Sequence, residues 1–73
     1  MSTTTVYVRL LDEGTDVFRP TEAEYSDDGL YRLRPTADYD PADERWEFLP
    51  GAMVRCQIMN LYEGERLVVV ALA

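Results

Sequence analysis

Four turn signals recur at short intervals along this chain and divide it into short segments. They are Asp12-Glu13-Gly14, Asp27-Asp28-Gly29, Leu49-Pro50-Gly51 and Tyr62-Glu63-Gly64-Glu65. The segments between them are rich in Val, Tyr, Phe, Thr and Leu, the residues that fit a pleated surface. No window carries a helical apolar stripe with caps. Short alternating segments at this spacing read as an all-β sandwich or barrel.

Each segment has its own pattern. Thr4 to Leu11 places Val6, Val8 and Leu10 on one face and Tyr7 and Arg9 on the other. Val17 to Tyr25 is a second strand, and Pro20 within it marks an edge or a bulge because proline has no N–H for the ladder. Asp28-Gly29 supplies the positive-φ residues of a tight hairpin turn. Leu30 to Arg34 then returns with Tyr31 and Leu33 inward and Arg32 and Arg34 outward. Pro35 to Glu44 is a polar loop, and Arg45 to Phe48 puts Trp46 and Phe48 on one face. Met53 to Leu61 turns Val54, Cys56 and Ile58 inward. The expected core is therefore Val8, Leu10, Trp46, Phe48, Val54, Ile58 and Val69.

Leu67 to Leu72 is apolar on both faces, a pattern that belongs to a strand covered on both sides. Pairing with the first strand would cover it and close a barrel; a homodimer through Leu67 to Leu72 would cover the second face equally well. The expectation is one domain over residues 1–73, a small SH3-like barrel of five or six short antiparallel strands. An open antiparallel sheet is the competing architecture. Closure is favoured because it removes unpaired edges.

Charge and side-chain inventory narrow the function. Fourteen carboxylates face seven arginines, for a net charge of -7, with no lysine and no histidine. An anionic surface repels nucleic acid and anionic lipid and favours basic partners. Without histidine the usual general base near neutral pH is missing, and Ser-His-Asp and Cys-His constellations cannot be built. Cys56, the only cysteine, falls at an inward strand position, where a thiol behaves as a small hydrophobe. Asp38-x-Asp40-x-x-Asp43-Glu44 gathers hard oxygen ligands, but lacks the glycine and terminal glutamate spacing of a calcium loop, and Pro41 stiffens it. A solvated acidic loop is the better reading. No metal, cofactor or enzymatic activity is expected. No run is long enough for a membrane span and the first residues lack the basic and apolar regions of a signal peptide, so a cytoplasmic location is expected by elimination.

Val8-Arg9-Leu10-Leu11-Asp12-Glu13-Gly14-Thr15-Asp16-Val17-Phe18-Arg19-Pro20, with Gly29 to Leu33, Trp46 to Gly51 and Val54-Arg55-Cys56, resembles a group of short bacterial proteins to which no activity is assigned. The resemblance implies a bacterial or phage source and a small β fold. It carries over no functional residues.

The candidate partner surface is acidic. Asp12, Glu13 and Asp16 lie in the first loop, Asp38, Asp40, Asp43 and Glu44 in the long loop, and Asp27 and Asp28 at a hairpin tip. In an SH3-like barrel such loops can flank one groove, and Tyr25, Tyr39 and Tyr62 would add aromatic anchors. Arg9, Arg19, Arg32, Arg34, Arg45 and Arg55 fall at outward positions or strand ends, where cross-strand ion pairs are expected. The expected function is a non-enzymatic protein-interaction module that takes a basic partner on these loops. The alternative is a phage or mobile-element inhibitor whose carboxylates mimic nucleic-acid charge to block a defence or replication protein.

Overall fold

In the computed structural model, which describes residues 2–26 and 28–73, six strands account for all the regular structure of the described residues. They are β1 (Thr3–Leu11), β2 (Phe18–Tyr25), β3 (Tyr31–Leu33), β4 (Arg45–Trp46), β5 (Met53–Leu61) and β6 (Gly64–Leu72). Five of them close a barrel in the order β1-β2-β3-β5-β6, and β4 adds to the free side of β1. This is a small SH3-like barrel, as the strand spacing indicated.

Closure departs from the expected all-antiparallel pattern at one seam. β1 and β6 run parallel and meet at Tyr7↔Val68, whereas β1–β2, β2–β3, β3–β5 and β5–β6 are antiparallel. The geometry requires it: four antiparallel steps around a ring return a fifth strand to the direction of the first. Pro20 lies in the part of β2 that pairs only with β1, since β3 joins β2 at Ala23 to Tyr25. Its missing N–H therefore costs no ladder bond.

Alternation produces the core. Val6, Val8, Leu10, Ala23, Leu33, Trp46, Val54 and Val69 are buried together, with Tyr31, Tyr39, Phe48, Cys56 and Leu67 packed against them. Trp46 sits opposite Leu10 on β1 and is 2% exposed. Tyr39 meets its ring edge to face, with centroids 4.9 Å apart. Tyr39 is thus half-buried packing, not an exposed anchor.

Ile58 does not belong to this core. Its register opposite Leu67 points it to the core side, yet it is 58% exposed. Among the described residues β3 pairs with β5 at Met53 and Val54 alone, so the far half of the β5–β6 hairpin runs past that pairing and leaves Ile58 largely in solvent. The last strand resolves its two-faced pattern largely within the chain. Val69 faces the core, while Val68 is buried on the other side in register with Tyr7. Val70 is the extra residue between the Cys56↔Val69 and Arg55↔Ala71 pairs, a bulge that leaves it exposed.

The β2–β3 connection is longer than the tight turn expected at Asp28-Gly29. Tyr25 pairs with Tyr31, and the Ser26 N–H bonds the Leu30 carbonyl at 2.8 Å. Gly29 takes a positive φ of 83°, which a side chain would resist. Asp27 lies outside the described residues.

Candidate functional site

The acidic loops are held in place by arginines, and the strands determine where those arginines stand. β1 delivers Arg9, β2 delivers Arg19 and β4 delivers Arg45. Arg45 Nη1 donates to Asp12 Oδ2 at 2.6 Å, tying the start of the first loop to the end of the long one. Asp12 adopts φ 62°, a left-handed conformation that aspartate tolerates better than most side chains. Arg9 pairs with Asp16 at 3.0 Å on the other side of the same loop.

Arg19 is the organising cation of the long loop. It stands opposite Val8, on the side of β2 that faces inward, and is only partly exposed. Its Nη2 donates to Asp38 Oδ1 at 2.7 Å, and its Nε lies 3.5 Å from Glu44 Oε2. The other Glu44 oxygen, Oε1, accepts from Trp46 Nε1 at 3.1 Å. A polar chain therefore runs from the core tryptophan through Glu44 and Arg19 to Asp38. The hydrogen bond from Arg19 holds the Asp38 carboxyl below the usual aspartate range, and that bond with the two carboxylates raises the Arg19 guanidinium. Outward placement was expected of Arg19; the register turns it inward, and its length carries the charge back to the surface.

The long-loop acids do not converge on a metal. Asp38 and Glu44 are committed to Arg19, and Asp40 Oδ1 accepts the Ala42 N–H at 2.9 Å as an Asx turn. Among the described residues no three carboxylate or thiol groups assemble with metal-ligand geometry. Among those residues, no ion pair involves Glu13, Asp40 or Asp43, and all three are exposed. Of the seven candidate partner-binding acids, four are bound to Arg9, Arg19 and Arg45; seven carboxylates less three guanidiniums leave this face at -4.

Asp16 is also where this face meets a cleft. A hollow of about 380 Å³ lies between the β5–β6 tip and the β1–β2 wall. Its walls include Tyr7, Phe18, Leu61 and Tyr62, with Asp16 and Glu63 at the charged positions and Arg66 over the Tyr7 ring at 5.9 Å. Tyr62 is fully exposed at the hairpin tip. The sequence marked Tyr62 as an aromatic anchor and missed Tyr7 and Phe18. Their signal was present: Tyr7 is an outward position of an alternating strand, and Phe18 shares its side through the Arg9↔Phe18 and Tyr7↔Pro20 pairs. Tyr25, by contrast, meets Tyr31 edge to face at the far end of β2, with centroids 5.3 Å apart.

Cys56 is half-buried against the core on β5, and burial pushes its thiol up to about 11. That rise, from 9.0, lowers the thiolate fraction at neutral pH about a hundredfold, and the thiolate is the nucleophile. Maleimide labelling at neutral pH is expected to proceed about tenfold more slowly than on the unfolded chain, since the higher nucleophilicity of a high-pKa thiolate offsets part of that loss, and to accelerate on adding denaturant. Equal rates with and without denaturant would place the thiol in solvent.

Among the described residues no helix is long and apolar enough to cross a membrane. Compared with protein-family profiles, curated proteins and solved structures, the chain has no match in any of the three.

Proposed function

We propose that the domain is a non-enzymatic protein-interaction module whose first and long loops together receive a basic partner. The observation that carries this reading is the arginine scaffold. Arg45 joins the two loops through Asp12, and Arg19 fixes the long loop through Asp38 and Glu44. A preorganised loop loses less entropy on binding than one ordered by the partner. Three of the four surplus charges stand at Glu13, Asp40 and Asp43, outside these pairs and in solvent, where they steer an approaching cation without a desolvation cost.

The test separates steering from scaffold. Proteins of the source organism are passed over the immobilised domain at low and moderate salt. Basic proteins are expected to be retained at low salt and released as salt rises. The triple variant Glu13→Gln, Asp40→Asn, Asp43→Asn keeps every arginine pair, and asparagine at 40 can still cap the turn. Its melting temperature should match the parent, since exposed charge changes each move stability by less than about 0.5 kcal/mol. Its association rate with the retained partner should fall about tenfold at low salt, with the difference closing as salt screens the field. Retention of the same proteins at the same rate by parent and variant would remove these loops from any binding role.

A further inference from the structure

The outer half of the β5–β6 hairpin runs past the barrel with the edge of β5 open. Among the described residues β5 pairs with β3 at Met53 and Val54 alone, while β6 lies beside β1, in register at Tyr7↔Val68. From Arg55 to Leu61 the outer edge of β5 has no strand beside it among the described residues. A two-stranded ribbon is marginal in water, and a third strand or a packed face is what stabilises it. Native chains usually guard such an edge with proline, lysine or an inward-pointing charge. Here the edge reads Arg55-Cys56-Gln57-Ile58-Met59-Asn60-Leu61, with one charge in seven residues and no proline. Ile58 and Met59 are both exposed along it.

We propose that this edge pairs with the same edge of a second copy, antiparallel about a two-fold axis at Ile58. Charge selects that occupant. The chain as a whole carries -7, so two copies repel over most of their surfaces. The hairpin from Arg55 to Arg66 holds two arginines and two glutamates, Glu63 and Glu65, and is neutral, so it is the surface on which two copies meet without that penalty. An isologous contact also satisfies itself: each backbone donor finds an acceptor on an identical strand. In this register Ile58 faces Ile58 across the axis. The stripe Leu67–Ile58–Ile58–Leu67 then runs across four strands on the core-facing side, and the exposed isoleucine acquires the apolar cover that the barrel does not provide. The contact is independent of the acidic loops, and either can fail without the other.

Sedimentation of the purified chain from about 1 μM to about 1 mM tests it. A concentration-dependent monomer–dimer equilibrium is expected. Ile58→Asp places two like charges opposite each other on the axis and should weaken dimerisation at least tenfold. The side chain is exposed in one copy, so the thermal transition of the dilute variant should stay cooperative. In a Cys56→Ser background, Ile58→Cys should form an intermolecular disulfide on mild oxidation. Directly opposite residues of an antiparallel pair sit about 4.5–5.5 Å apart, within disulfide reach. Tyr25→Cys in the same background, exposed but remote from the edge, should remain uncross-linked. A parent that stays monomeric throughout overturns the proposal. A dimer that survives Ile58→Asp, or that cross-links equally through either cysteine, overturns it too.

Discussion

Trp46→Ala is expected to lose about 3–5 kcal/mol of stability, the usual cost of emptying an aromatic site in a core. A domain of this size has a total margin of the same order. The variant should therefore be unfolded or lack a cooperative transition at room temperature by circular dichroism and urea titration. Two further losses accompany the cavity. Tyr39 loses the ring it packs against, and Glu44 Oε1 loses its Nε1 donor. Trp46→Phe separates these effects. It keeps most of the packing and deletes the hydrogen bond, so it should fold, with reduced stability and with Arg19 and Glu44 less firmly ordered. A soluble, cooperatively melting Trp46→Ala protein would show that the inward face of β4 is misassigned.

Leu33→Ala and Ile58→Ala form the second test, because both residues stand on core-facing registers. Leu33 is 1% exposed in a three-residue strand, and its backbone is bonded on both sides of the Pro50-Gly51 turn, from its N–H to the Ala52 carbonyl and from the Gly51 N–H to its own carbonyl. Truncating it should cost about 2–5 kcal/mol. Ile58→Ala, measured at a concentration where only monomer is present, should cost under about 1 kcal/mol, because most of that side chain is already in water. Equal losses from the two substitutions would mean that the far half of the hairpin folds back against the barrel.

The contrast between these two leucine-sized residues shows where sequence patterning stops. Alternation in Thr4 to Leu11 identified Val6, Val8 and Leu10 correctly because β1 is flanked along its length, by β2 on one side and by β6 and β4 on the other. The same rule applied to Met53 to Leu61 found Val54 and failed at Ile58. Periodicity reports which side of a strand a residue is on and carries no information about whether another element lies across from it. Only the short β3 pairing shows that the barrel ends before Ile58 does.

The acidic face divides in the same way. That Asp12, Glu13, Asp16, Asp38, Asp40, Asp43 and Glu44 lie in loops was legible from the turn signals around them. Which of these carboxylates are already neutralised was not. Arg19 is 19 residues from Asp38, and Arg45 is 33 from Asp12, so each pairing depends on how β2 and β4 register against β1.

What the sequence determined by itself is local: strand periodicity, turn positions, an inventory without histidine or lysine, and one inward cysteine. These follow from neighbours in the chain, whose geometry is set by backbone sterics and a two-residue repeat. What only the tertiary structure decided is non-local: the parallel β1–β6 seam, the bulge at Val70, the pairing of arginines with loop acids, the cleft of Tyr7, Phe18 and Tyr62, and the unguarded edge of β5. The seam follows from the number of strands in the ring and the others from the register with which distant strands pair, properties of the whole ring that no single segment encodes.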